Sequence, residues 1–555
     1  MKTKLLPLLA ATALAALSLS LLLAGCGPRS APEQDPPQDN EPKRGGSIII
    51  ATSADISGFN PLIVSSNRPT ELVLRHVFPQ LAREQADFED GPPSFTPSLA
   101  ESWEWSEDHK TATFKLRKTA RWSDGAPITA EDVRFSWQAQ IDPDVAWDTV
   151  EYKESITDVE VVDPHTVRFH FDRVYPNQML HLNESYVLPK HRWSEIPFSE
   201  WRQRSEWFRD NAVFGGPFLI ASWSPQQEIV LERNPEYWDP VQPYLDRVVF
   251  RIVTDQSNQI SQLLAGQIDM ASNPAPDQLD RLKESEGVRL LQYWGPSFIF
   301  IGWNQKHPMF QAQEVRQALT LAIDRVTLVE ALWGDAGRVS DSPILQNVWI
   351  HNDQLEPYPY NPSRAKEILA NHGWQDTDGD GILDRDGEPF AFELITNVGN
   401  RQRLDATVMI QSQLKRIGID VTPQVIDFQN FIARKDERDF DAVVMGWTFP
   451  TTMDFRYAFH SRKIPDMGNN FVSFSDERVD EILDEIAVQV ELADAEPLLL
   501  EMQEILNQRL PYTFLWESKR SVGLSVRVRD AKPSALFQHD NLPEWWVIDA
   551  VATTR

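Results

Sequence analysis

Residues 391–426 read AFELITNVGNRQRLDATVMIQSQLKRIGIDVTPQVI. The first six, AFELIT, form a short apolar strand pattern. Residues 403–418 carry apolar side chains at helical spacing and end on Gly418. IDVTPQVI, 419–426, is a second strand, and FDAVVMGW, 440–447, a third that is largely apolar on both faces. That pattern suits a sheet covered on both sides. A strand–helix–strand crossover implies parallel pairing with a right-handed connection. The fold class is therefore α/β. Open sheets of this kind take ligands beyond the carboxyl ends of their strands. Here those ends carry residues 397–403 and 447–456.

Further strands are expected upstream. SIIIATS (47–53) is a continuous apolar run, and TATFKLR (111–117) alternates with period two. DVEVV (158–162) and TVRFHF (166–171) flank Asp163, Pro164 and His165 and form a hairpin. EIVLERN (228–234) and RVVFRIV (247–253) complete the set. Helices follow in the second half. In 313–334, Val315, Ala318, Leu319, Ala322, Val326 and Val329 form one stripe, and Gly334 stops it. Residues 363–373 are another helix ending on glycine. No internal repeat is present.

The chain has 555 residues, which predicts two to four domains. Its formal net charge is −29, and such a surface repels phosphate backbones, so nucleic acid is excluded as a partner. HExxH, GxSxG, GxxxxGK[ST] and CxxC are all missing. The 11 histidines are scattered along the chain. No catalytic residue is assigned, and the chain is read as a binding protein rather than an enzyme. The alternative, a secreted carbohydrate-active hydrolase, needs only a carboxylate pair and no local motif.

The single cysteine, Cys26, ends a signal-like segment at 1–26, with Lys2 and Lys4 before a long apolar run. Leu23, Ala24, Gly25 and Cys26 resemble a bacterial lipobox, in which the cysteine thiol is acylated. Two or more acyl chains make a stable anchor. The alternative is an uncleaved span. Residues 27–44 are proline-rich with no apolar run, and read as a disordered tether.

DTDGDGILDRDG, 376–387, has the carboxylate spacing of a calcium loop at Asp376, Asp378, Asp380 and Asp384. An EF-hand would place a glutamate at Gly387 and a helix where PFAFELIT reads as strand. The stretch is instead a helix-to-strand turn that could hold one structural calcium. No other cofactor is expected.

Several stretches resemble the family 5 extracellular solute-binding proteins, the oligopeptide-, dipeptide- and nickel-type receptors of ABC importers. They include SADISGFNPLI (53–63), LAESWEWSEDHKTATFKLRKTARWSDGAPITAEDVRFSW (99–137) and GGPFLIASWSPQQEIVLERNPEYW (215–238). QLLAGQIDM (262–270), IGWNQKHPMFQAQEVRQALTLAIDR (301–325), YNPSRAKEILANHGW (360–374) and GNNFVSFSDERVDEIL (468–483) follow in the family's order. The resemblance implies a periplasmic-binding-protein fold: two lobes, a hinge and a cleft, with an extra domain inserted in lobe one. Lobe one would comprise 45–81, 212–296 and 512–555, the insertion 82–211, and lobe two 297–511. Hinge crossings would fall near 294–301 and 510–514.

The resemblance further implies an extracytoplasmic receptor, periplasmic or at the cell surface. It would be a monomer, lipid-anchored through Cys26, delivering a peptide or similar small solute to an ABC permease in the inner membrane. Nickel chelate and oligosaccharide are the alternative solutes. In peptide-binding members an aspartate in the loop after Trp447 pairs with the ligand's α-amino group, which points to Asp454. An arginine near the end of the 391–396 strand holds the carboxylate in dipeptide receptors, which points to Arg401 or Arg403. Trp303, Asn304 and Trp447 are expected at strand ends facing the cleft.

Overall fold

The computed structural model describes residues 41–64, 68–464, 468–535 and 538–548. The signal at 1–26 with Cys26, and residues 27–40 of the expected tether, lie outside the described residues. The body starts at Lys43. Arg44 is already fixed to it, with Nε donating to the Val241 carbonyl at 3.0 Å.

The strand–helix–strand unit forms as its sequence pattern requires. Ala391–Asn397 pairs in parallel with Asp420–Ile426 and with Ala442–Thr448, and helix Arg401–Lys415 makes the first crossover. Pro423 has no amide hydrogen, and its strand is the edge strand, where none is needed. This unit is one end of an 11-stranded mixed sheet. From Ala442–Thr448 the order continues through Val288–Trp303, Tyr512–Ser525, Met270–Ser272, Ser47–Thr52, Arg247–Ile252, Glu228–Arg233 and Phe218–Ser224.

Two long strands, Val288–Trp303 and Tyr512–Ser525, join the halves of the sheet. Their antiparallel register breaks between Trp294 and Phe298, opposite Lys519 and Glu517. Tyr512 and Phe514 pack in one hydrophobic core with Phe298 and Phe300, and Leu515 and Trp516 in another with Ile301 and Trp303.

The expected hairpin is present. Ile156–Asp163 and Thr166–Phe171 pair antiparallel within a separate four-stranded sheet that also holds Thr111–Leu116 and Ala100–Trp105. This sheet and the lobe-one half of the main sheet share one hydrophobic core, from Ile48 through Phe114 to Trp193. Within the expected insertion, Phe88 is 3% exposed and packs instead with Ile344, Leu345 and Val348.

The single helix expected over 313–334 is two helices, Gln313–Leu321 and Arg325–Trp333. Asp324 caps the second, accepting from the Thr327 amide at 3.1 Å. A side-chain acceptor at that point competes with helix continuation. The apolar stripe breaks with it: Val315, Ala318, Leu319 and Ala322 are buried, but Val326 is 58% exposed.

Candidate functional site

The strand Ala442–Thr448 delivers Trp447 to one wall of a cavity of about 1130 Å³. The indole Nε1 donates to the Tyr512 hydroxyl at 3.2 Å, and Tyr457 packs edge-on against the ring at 5.2 Å. The chain then turns through Met453, whose φ is +52°. A left-handed backbone is unfavourable for a side chain with Cβ and is retained where its surroundings hold it. Met453 is fully buried, so packing holds this one. The turn sends Asp454 into the cavity.

Asp454 is not bare. Its carboxylate accepts from the Arg456 amide at 3.0 Å and from Arg456 Nε at 2.9 Å. Arg456 Nη2 donates to the other oxygen at 2.5 Å. Burial pushes the Asp454 carboxyl up, but the hydrogen bonds and charge of Arg456 prevail and hold it below its ordinary value. The site thus presents an ion pair inside an aromatic-rich cavity, and its carboxylate is ionised at neutral pH.

Another stretch of the cavity wall comes from residues 151–181. Tyr152 and Tyr175 flank His181, with ring centroids at 4.6 and 5.3 Å. Burial, reinforced by Lys153, pushes His181 down to about 4, so its ring is neutral at pH 7. Asn177 Nδ2 donates to the Thr452 carbonyl at 2.8 Å and links this wall to the Asp454 loop. These wall residues were not among those expected from sequence. They come from turns and short helices that carry no periodic signal.

Trp447 and Asp454 share the cavity, and Arg403 lies beside it. Arg403 Nη1 donates to Asn397 Oδ1 at 3.1 Å, while its buried Nε has no partner among the described residues. Burial lowers its pKa. Gly446 makes room for it: a Cβ there would sit 3.1 Å from Arg403 Nη2 and 2.8 Å from the Phe298 carbonyl. Arg401 is elsewhere, 80% exposed and paired with Asp405 at 2.7 Å.

Trp303 and Asn304 do not face this cavity. Val288–Trp303 runs antiparallel to Ala442–Thr448, so Trp303 pairs with Ala442 while Trp447 pairs with Phe298. The two tryptophans therefore mark opposite ends of the sheet. Trp303 is fully buried and donates to Thr513 Oγ1 at 3.0 Å. Asn304 Nδ2 donates to the Phe440 carbonyl at 2.8 Å. Both are structural.

The acidic turn lies between helix Pro362–Asn371 and strand Ala391–Asn397. Asp376, Asp378 and Asp380 bring carboxylate oxygens within 4.8 Å of one another, all exposed. Asp384 does not join them. Its oxygens accept from the Thr377 amide at 2.8 Å and hydroxyl at 2.7 Å. Asp376 also closes the turn itself, accepting from the Gly379 amide at 2.7 Å and the Gly381 amide at 3.1 Å.

Comparison with known proteins places this geometry in context. Residues 94–466 match the model of the bacterial extracellular solute-binding proteins, family 5. The oligopeptide-binding protein AppA of Bacillus subtilis is 29% identical over 541 residues, covering 95% of this chain and 97% of that one. The structure of that AppA in complex with a nonapeptide aligns with a TM-score of 0.74 at 28% identity, over 92% of this chain and 100% of that one. NikZ from Campylobacter jejuni, in complex with Ni(L-His), aligns at 0.74 with 24% identity over 90% and 99%.

Proposed function

Because the chain belongs to the bacterial extracellular solute-binding proteins of family 5, we propose that it is a lipid-anchored extracytoplasmic receptor that captures peptides for an ABC permease of the inner membrane. The observation that carries this reading is Asp454, an ionised carboxylate in an aromatic-rich cavity of about 1130 Å³. Drug-sized ligands occupy roughly 300–1,000 Å³, so the volume suits an oligomeric ligand. Aromatic walls tolerate varied side chains. A ligand ammonium would donate to the Asp454 carboxylate beside Arg456, and Arg403 offers a cation with no ion pair to an acidic side chain among the described residues. Closure on the ligand is then a population shift towards the state that binds it more tightly.

Asp454→Asn removes the charge and keeps the size. It also leaves Arg456 positive beside the ligand amine. Calorimetric titration should show free-amine peptides weakened about 10- to 150-fold and N-acetylated ones nearly unchanged. Equal loss for both would confine the loop to shaping the cavity. Mass spectrometry of ligand retained through purification separates peptide from nickel chelate and oligosaccharide. Catalytic turnover of glycans would favour the hydrolase.

Anchoring rests on the lipobox at Cys26. Cys26→Ser should give an unacylated protein that leaves the membrane fraction. Continued membrane integration would make the apolar run before it a true span.

Calcium at Asp376, Asp378 and Asp380 predicts a melting temperature lowered by chelator with ligand stoichiometry unchanged. Identical curves with and without chelator would leave a self-bonded turn.

A further inference from the structure

A second cavity, of about 380 Å³, shares a side chain with the cavity that holds Trp447 and Asp454: Tyr152 lines both. Its other walls come from helix Arg68–Leu74, from the paired strands Ala82–Glu84 and Phe95–Pro97, and from residues 147–149 and 180–186. Its volume falls within the range of small-ligand pockets.

The wall is acidic and aromatic. Glu84, Asp148 and Glu184 stand in it beside Trp147, Tyr152 and Tyr186. Among the described residues, none of these three carboxylates has a cation within 4 Å. Glu71, also in the wall, meets Arg68 at 3.5 Å. Arg75 is the one cation among the described residues of the wall, and Asp540 holds it, at 3.0 Å from Nε and 2.9 Å from Nη2. Lys153 lies behind the wall, 5.8 Å from the Trp147 ring. Its Nζ donates to the Leu182 carbonyl at 3.1 Å and the Glu184 carbonyl at 3.0 Å.

The carboxylates therefore exceed what the wall neutralises. Burial pushes Glu84 up to about 7, although Arg75 pulls it down. Burial also raises Glu184 against the pull of Lys153 and Arg75. Yet Glu184 is an exposed residue. A carboxyl that is exposed and still desolvated faces a walled space rather than open solvent.

Asn183 marks the same space. It is 7% exposed and lines the cavity, and its Oδ1 accepts from the Ala82 amide at 2.9 Å. Its Nδ2 has no partner among the described residues and is not sealed in the interior. Buried side chains rarely leave a donor unused, so this one calls for an acceptor from outside the chain.

We propose that this cavity is a side pocket of the ligand site that receives a basic side chain of the bound peptide, its ammonium or guanidinium set against Glu84, Asp148 and Glu184 and the rings of Trp147, Tyr152 and Tyr186. Asn183 Nδ2 then donates to a main-chain carbonyl beside that side chain. The pocket rests on the peptide reading above and narrows the ligand to peptides that carry lysine or arginine.

The test separates the pocket from the peptide reading. N-acetylarginine N-methylamide and its neutral citrulline counterpart are titrated into the protein carrying labelled tryptophan. Both have main-chain carbonyls and no charged terminus. The Trp147 indole signal is assigned by its loss in Trp147→Phe, and that of Trp447 likewise. The arginine compound should move the Trp147 signal and the citrulline compound should not. Glu184→Gln should weaken the arginine compound at least tenfold, and Glu84→Gln should weaken it too. An unmoved Trp147 signal, equal affinity in both glutamine variants, or a shift of Trp447 in place of Trp147 overturns the proposal. With peptides, arginine-to-citrulline exchange should cost at least tenfold at one position, and Glu184→Gln should erase that difference. Peptides that bind equally with arginine or citrulline at every position overturn the link between the two cavities. If the arginine compound responds and no peptide binds, the pocket stands and the peptide reading fails.

Discussion

Arg338→Met should destabilise the protein by about 3–5 kcal/mol at neutral pH, the cost of leaving a buried charge without its partner. The partner is Glu517, whose side chain is 1% exposed and meets Arg338 Nη2 at 2.5 Å and Nε at 2.9 Å. The pair sits where the two long strands lose register. Arg338 also lies over the Trp294 ring at 3.7 Å and donates to Asn347 Oδ1 at 2.9 Å. With arginine gone, the Gln346 amide, at 3.3 Å or more, and the Ser340 side chain remain to hold the carboxylate.

The loss depends on pH, and its sign follows from Glu517. Burial raises the Glu517 pKa even with Arg338 in place to lower it, and removing Arg338 raises it further. A carboxyl with a raised folded-state pKa is best tolerated when protonated. Stability from that group is complete below the unfolded carboxylate range and is lost as pH rises through the folded-state value. The penalty of Arg338→Met should therefore shrink as pH falls towards the ordinary glutamate range. Urea unfolding at neutral and acidic pH reads this directly. The double variant Arg338→Met/Glu517→Gln should recover most of the loss at neutral pH, because no charge is then stranded. A penalty independent of pH would mean that packing on Trp294, and not the ion pair, holds the joint.

The architecture was legible where a local period carries it. The 391–426 unit and the 156–171 hairpin declare themselves through spacing and turn residues. Strand direction within the sheet has no such local signature. Trp303 and Trp447 end similar apolar strands, yet antiparallel pairing sends them to opposite ends of the sheet. The acidic turn shows the same limit at a smaller scale. Asp384 keeps the spacing of a calcium ligand, but Thr377, seven residues back, claims its oxygens. The helix break at Asp324 did have a local signal, an aspartate three residues before a threonine, masked by the apolar stripe around it. The second wall of the cavity had none. Tyr152, Tyr175 and His181 meet Trp447 and Asp454 only through tertiary packing of stretches about 300 residues apart in sequence.

Phe88 tests that placing. Ala82–Glu84 and Phe95–Pro97 form a short antiparallel ribbon. Its base is held on the lobe-one side, where Arg83 pairs with Asp540 and Glu544, each at 3.2 Å. The tip reaches lobe two. There the Phe88 carbonyl accepts from the Trp349 amide at 3.2 Å, and Glu89 Oε1 accepts from Asn347 Nδ2 at 2.7 Å. The Phe88 ring joins a core that includes Ile344, Leu345, Val348 and Ile350. The ribbon therefore ties Asp540 and Glu544 to the core around Ile344 and Val348 with a single aromatic anchor. Phe88→Ala should cost about 3–5 kcal/mol, the usual range for emptying a buried phenylalanine site. Phe88→Leu, which refills most of the volume, should cost far less. Urea unfolding of the two variants checks the ranking. A loss below about 1 kcal/mol for Phe88→Ala would show that the tip lifts out at little cost and that the tie is not part of the stable fold. If the alanine variant also binds ligand less tightly while the leucine variant does not, the ribbon helps hold the lobes where the ligand needs them. Equal ligand affinity in both would confine its role to stability.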